Sequence, residues 1–113
     1  MIVKMSGKDV VLGHRIEVAT TFAERGRGLL GRTGLTEGEG LWIKRCNSIH
    51  MFGMRFPIDV AFVDKRGSVV KMLHGIRPGR MSGIYFKAKD ALELPAGTLR
   101  RCGVQIGDLL EMM

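Results

Sequence analysis

Polar and apolar residues alternate along the first twenty positions. Met1 to Met5 and Asp9 to Thr20 read as two strands joined by the turn Ser6-Gly7-Lys8. Val10, Leu12, Ile16 and Val18 fall on a period of two, the period of a half-buried strand, with Lys8, His14 and Glu17 interrupting it. Gly13 is placed to bend or bulge the strand where the face changes. Thr21 to Arg32 then predicts a short helix, because Thr21 followed by Glu24 is a capping-box pattern. Phe22, Leu29 and Leu30 share an apolar stripe, and Arg25, Arg27 and Arg32 lie off it. Gly26 and Gly28 each cost a helix interior about 1 kcal/mol relative to alanine. Such glycines imply close backbone approach, so this helix is expected to lie tightly on the sheet.

Beyond a turn-rich connector at 33–40, Leu41 to Lys44 predicts a short strand, and Arg45 to Phe56 has no clean period. Pro57 suits the first position of a strand, since it brings no ladder donor. Ile58 to Val63 is apolar on both faces except for Asp59, which marks a central strand. Asp64-Lys65-Arg66-Gly67 makes a hairpin turn, and Ser68 to His74 returns. Gly75 to Lys89 is irregular. Ala91 to Leu94 is a buried strand interrupted by one acid, Glu93, and ended by Pro95. Ala96 to Cys102 makes two helical turns closed by Gly103, and Asp108 to Met112 is a final strand. The pattern predicts an α+β fold in a single domain spanning 1–113. A mostly antiparallel sheet curls toward a barrel, with one helix near 21–32 across it and a short one near 96–102.

Composition changes this picture little. With 113 residues, 45% hydrophobic and 26% charged, the chain has ordinary globular composition. A domain of that length buries roughly two thirds of its unfolded surface. No apolar run approaches the roughly 20 residues of a spanning helix, so no membrane role is expected. Met1 to Thr20 lacks a secretory hydrophobic core and a small-residue cleavage site, which predicts a cytoplasmic chain. Cys46 and Cys102 lie far apart without a CxxC pattern or a histidine at metal-ligand spacing. Reduced, buried thiols are the simplest expectation, with a disulfide between them left open. No metal and no cofactor is predicted. Eighteen basic residues against eleven acidic give a net charge of +7, which favours anionic partners. The charge is dispersed, so it supports a nucleic-acid partner only weakly.

From Thr20 onward the segments RGRGLLGRTGL, GEGLWI, CNSIHMFGMRFPIDVAFVD, ALELPAGT and GVQIGDLL resemble domain-of-unknown-function family 192 (DUF192), a family of uncharacterised proteins. The likeness covers about four fifths of the chain, in the family's order. It implies a compact, mostly antiparallel β protein with one or two helices, and it brings no activity. Many members carry Trp-Met-Lys-Asn-Thr where this chain has His50-Met51-Phe52-Gly53-Met54, which removes a lysine and an asparagine here.

Candidate chemistry centres on Asp59 and Glu93, acids set among strand hydrophobes. Either they share a pocket, where one has a raised pKa, or each is a structural acid held by backbone donors or by Arg25, Arg32 or Arg55. Cys46, Asn47 and His50 are residue types of a thiol nucleophile with its base and orienter, but catalytic sets of that kind are assembled from distant segments. Met51 and Met54 with Cys46 and His50 also suggest a soft copper(I) site, against which stands plain core packing by methionine. The glycines at 26–31 match no phosphate-loop pattern. No catalytic residue is assigned. The favoured function is a non-enzymatic binding module for a small anionic ligand. Its surface is formed by the 45–56 crossing and the 75–89 loop, with Arg55, Arg77, Arg80, Tyr85 and His50 as contacts. The alternatives are a hydrolase or lyase using Asp59 or Glu93 as general acid or base, and a nucleic-acid-binding protein.

Overall fold

The computed structural model describes all residues, 1–113. Its elements run β1 (Val3–Met5), β2 (Val11–Gly13), β3 (Arg15–Ala19), α1 (Phe22–Arg27), β4 (Glu39–Ile43), β5 (Ile58–Val63), β6 (Val69–Ile76), β7 (Asp90–Pro95), α2 (Thr98–Arg101) and β8 (Leu110–Met112). The strands form two sheets, one of three strands ordered β2-β1-β8 and one of five ordered β3-β4-β7-β5-β6. The α+β class with predominant strand content therefore holds, but neither sheet closes on itself and there is no barrel. The expected strand 9–20 is two strands in different sheets, parted at His14, whose amide donates with that of Arg15 to the Gly38 carbonyl (3.0 and 2.9 Å).

The pairing is antiparallel throughout except between β3 and β4, which run parallel with Arg15 opposite Glu39. A parallel pair needs a crossover, and α1 lies within it. The capping box forms as expected: Thr21 Oγ1 accepts from Glu24 N–H, and Glu24 accepts from the Thr21 amide. The helix is nevertheless shorter than predicted, and none of its residues is buried. Gly28 ends it in a positive-φ conformation (φ 51°), and no neighbour crowds Gly26. The two glycines therefore do not bring a helix onto the sheet. One of them stops the helix, Phe22 is left exposed, and Leu29 enters the core from the following turn.

The five-stranded sheet is covered on both faces, which explains why all six residues of β5 are buried. Ala61, Val63, Leu92 and Leu94 pack on one face with the small sheet and Leu99 of α2. Ile58, Val60, Phe62 and Ala91 pack on the other with Leu29 and Met51. That second face is roofed by the irregular 44–57 crossing and the 77–89 loop, which run side by side. Met51 N–H donates to the Arg80 carbonyl (2.7 Å), Ser82 N–H to Ile49 (2.9 Å), Tyr85 N–H to Asn47 (2.9 Å) and Cys46 N–H to Lys89 (2.7 Å).

Candidate functional site

Side chains alternate along a strand, so the faces that Asp59 and Glu93 occupy follow from register. Val60 stands opposite Glu93, and Asp59 opposite Leu94. Glu93 therefore shares the face of Val60 and Ala91, while Asp59 shares that of Ala61 and Leu94. The two acids lie on opposite sides of the sheet and do not form a pair.

Asp59 is fully buried and is held by backbone alone. Its Oδ1 accepts from Gly75 N–H (2.8 Å), and its Oδ2 accepts from Gly97 and Leu99 N–H (3.0 Å each). Gly97 is the N-cap of α2 and has no side chain to cap it, so Asp59 receives the amides that open that helix. None of the arginines considered as partners reaches it. Arg32 pairs with Glu17 (2.9 Å), Arg25 donates to the Arg45 carbonyl (3.2 Å) and Arg55 is exposed.

Glu93 has no such partners. Burial alone pushes its carboxyl up from the usual carboxylate range to about 7. It forms part of the wall of a cavity of about 120 Å³ between the end of α1 and the crossing. Gly28 turns the chain above it, and a Cβ at that position would lie 3.9 Å from Glu93 Oε1. Leu29, Leu30, Ile43 and Ile49 give the cavity apolar walls, and Cys46, Met51 and Met54 add sulfur. The charged or titratable groups lining it besides Glu93 are Arg25, Arg27, Cys46 and His50. Arg25 Nε is the one buried side-chain nitrogen or oxygen in the protein without a hydrogen-bond partner. An unmet donor of that kind costs roughly 1–3 kcal/mol.

The crossing is aimed by a strained residue. Arg45 takes φ 52°, in the left-handed region that costs a non-glycine residue energy. It is clamped at both ends, its N–H donating to Asp90 Oδ1 (2.9 Å) and its carbonyl accepting from Arg25. Asp90 Oδ2 also accepts from Trp42 Nε1 (2.9 Å). This clamp swings the chain from β4 into the crossing and sets Cys46 against the cavity. Burial pushes the Cys46 thiol up, and its Sγ–H donates to the Ser48 carbonyl (3.1 Å). Both cysteines are free, and they pack against opposite faces of the sheet, so no disulfide joins them.

The predicted site residues are thus divided. His50 lines the cavity, accepts from Phe52 N–H at Nδ1 (3.3 Å) and stacks on Phe52 (5.1 Å). Arg55, Arg77 and Arg80 are exposed and do not line it. Tyr85 is half-buried against Phe62 (4.9 Å), with Lys71 over its ring (5.7 Å). Cys46, His50, Met51 and Met54 do share the cavity wall, but nowhere do three or more His, Cys, Asp or Glu gather closely enough to hold a metal ion. Sequence reasoning missed Arg25 as a site residue and Asp90 as a clamp. The glycines that follow Arg25 were the available signal for the first, and an acid opening an apolar strand was the signal for the second.

Among known proteins, the sequence model of DUF192, described as "Uncharacterized ACR", matches residues 1–112. The chain belongs to the DUF192 family. This DUF192 protein is 34% identical over 115 residues to a UPF0127 protein of Thermococcus sibiricus, covering 98% of this chain and 73% of that one. A UPF0127 protein of Thermococcus gammatolerans is 33% identical over 117 residues, covering 97% and 73%. A crystal structure of a protein of unknown function from Novosphingobium aromaticivorans superposes with a TM-score of 0.87 at 27% identity, over 99% of the DUF192 chain and 84% of its own. A second, from Sinorhizobium meliloti and described as a candidate transcription regulator, gives 0.80 at 26% identity, over 97% and 91%.

Proposed function

We propose that this protein is a binding module for a small anionic ligand, and that the ligand enters the cavity above Glu93. The observation that carries this reading is a cavity walled by both the Arg25 guanidinium and the Glu93 carboxyl, neither of which has an ion-pair partner. A bound anion would supply the countercharge that Arg25 lacks. Asp59 takes no part, since its oxygens are committed to three backbone amides. The test is an amide NMR titration with acetate, lactate, phosphate and sulfate. Shifts confined to 25–30, 46–54 and Glu93 are expected. Unmoved amides there, or shifts confined to Arg77 and Arg80, would overturn the reading.

A second reading, nucleic-acid binding, is favoured by a cleft of about 460 Å³ elsewhere on the surface. Lys44, Arg45, Lys65, Arg66 and Lys89 line it. The description of the Sinorhizobium relative points the same way.

A further inference from the structure

The cavity that is read here as the ligand site has a composition that selects among anions. We infer that it takes a short-chain monocarboxylate, bound between Arg25 and a protonated Glu93, so that one proton is taken up with each ligand. The inference rests on the binding role proposed for the cavity and narrows it to one class of ligand.

Size comes first. A dry apolar cavity of about 150 Å³ accommodates benzene, so one of about 120 Å³ has room for a ligand of a few non-hydrogen atoms. That suits acetate, propionate or butyrate. The walls come second. Leu30, Ile43, Ile49, Met51 and Met54 are apolar, which favours a ligand with a hydrocarbon end over a fully hydrated inorganic anion. The polar groups come third. Arg25 provides a fixed positive charge that no carboxylate neutralises.

Glu93 is the discriminating element. An ionised Glu93 would repel any anion beside it, whereas its neutral form offers an O–H that donates to a carboxylate oxygen. Its pKa of about 7, produced by burial with nothing to offset it, keeps that form accessible near neutrality. The other groups facing the cavity do not provide such a switch in the same way. Arg25 and Arg27 stay charged, and the Cys46 thiol is pushed up by burial and stays neutral. His50 also lines the cavity, so its contribution has to be separated by experiment.

Because only the protonated form is competent, apparent affinity falls with the protonated fraction, about tenfold from pH 6 to pH 8. The experiment is calorimetric titration of the wild type with butyrate, phosphate and the neutral isostere butyramide. It is run at pH 6 and pH 8, each in two buffers of different ionisation heat. Butyrate is expected to bind best of the three, about tenfold weaker at pH 8, with close to one proton taken up per ligand at that pH. Glu93→Gln should bring the ratio of affinities at the two pH values to one. His50→Gln should leave the ratio as in the wild type, and Arg25→Met should lose butyrate at both. A pH-independent wild type with no proton uptake, or tighter binding of phosphate or butyramide, overturns the carboxylate inference and leaves the cavity's binding role standing. Failure of all three probes at both pH values overturns both. If Glu93→Gln does not fold, the two-buffer proton count on the wild type still decides.

Discussion

Glu93 holds its proton in the folded protein over a range where the unfolded chain releases it. Its pKa is raised from 4.5 to about 7, so the folded state binds more protons between those values and stability falls as pH rises through that window. The contribution is fully present below about 4.5 and lost by about 7, for a total on the order of 3 kcal/mol. Glu93→Gln removes the group that ionises. Thermal melts should therefore show the variant gaining on the wild type from pH 5 to pH 8, and a constant difference between them would refute the assignment. That an acid amid strand hydrophobes matters was legible in the sequence for both Glu93 and Asp59. Which of them met a cavity was not. The answer depended on the register that sets Val60 opposite Glu93, and register between strands about thirty residues apart is a tertiary property.

Among the elements, α2 shows how a short helix is held from outside itself. It spans Thr98–Arg101, and its opening amides are received by a side chain 38 to 40 positions earlier. Asp59→Ala leaves three backbone N–H groups without their acceptor and should cost about 3–5 kcal/mol. For a domain of this size that lowers the melting temperature by roughly 10–25 °C. An unchanged melting curve would remove Asp59 from the structural frame. The extent of α2 was nearly legible, from Pro95 before it and Gly103 after it. For α1 the start was legible in Thr21 and Glu24 and the end was misjudged. Helix-stopping and close-packing glycines look alike in sequence, and only the φ of 51° at Gly28 distinguishes them.

At the level of the whole molecule, β5, placed centrally by its doubly apolar pattern, lies between β7 and β6. The parallel β3–β4 pair was not foreseen, because nothing local marks the direction in which a crossover returns. The net charge of +7 was plain, but its concentration around one cleft depends on turns and strand ends meeting in space. Of the acids lining that cleft, Asp64 accepts from the local amides of Arg66 and Ser68, and Asp90 from the Arg45 amide and Trp42 Nε1 while pairing with Lys44 Nζ (3.6 Å). If four or five cations there contact phosphates, duplex affinity should fall with salt at a logarithmic slope of about −4, and the double variant Lys65→Ala, Arg66→Ala should reduce it by about 2. A filter-binding series at several salt concentrations with no slope, or the same slope in the variant, would exclude the cleft. Asp59 has one further effect at this scale. By binding Gly75 and Gly97 together it works as a clasp that needs no oxidant, enclosing the segment that carries the 77–89 loop. Doubling the length of a loop closed in this way costs only about 0.6 kcal/mol. The solvent-facing part of that loop is accordingly where insertions should be absorbed, which would give the molecule a new rim while the sheet beneath stays as it is.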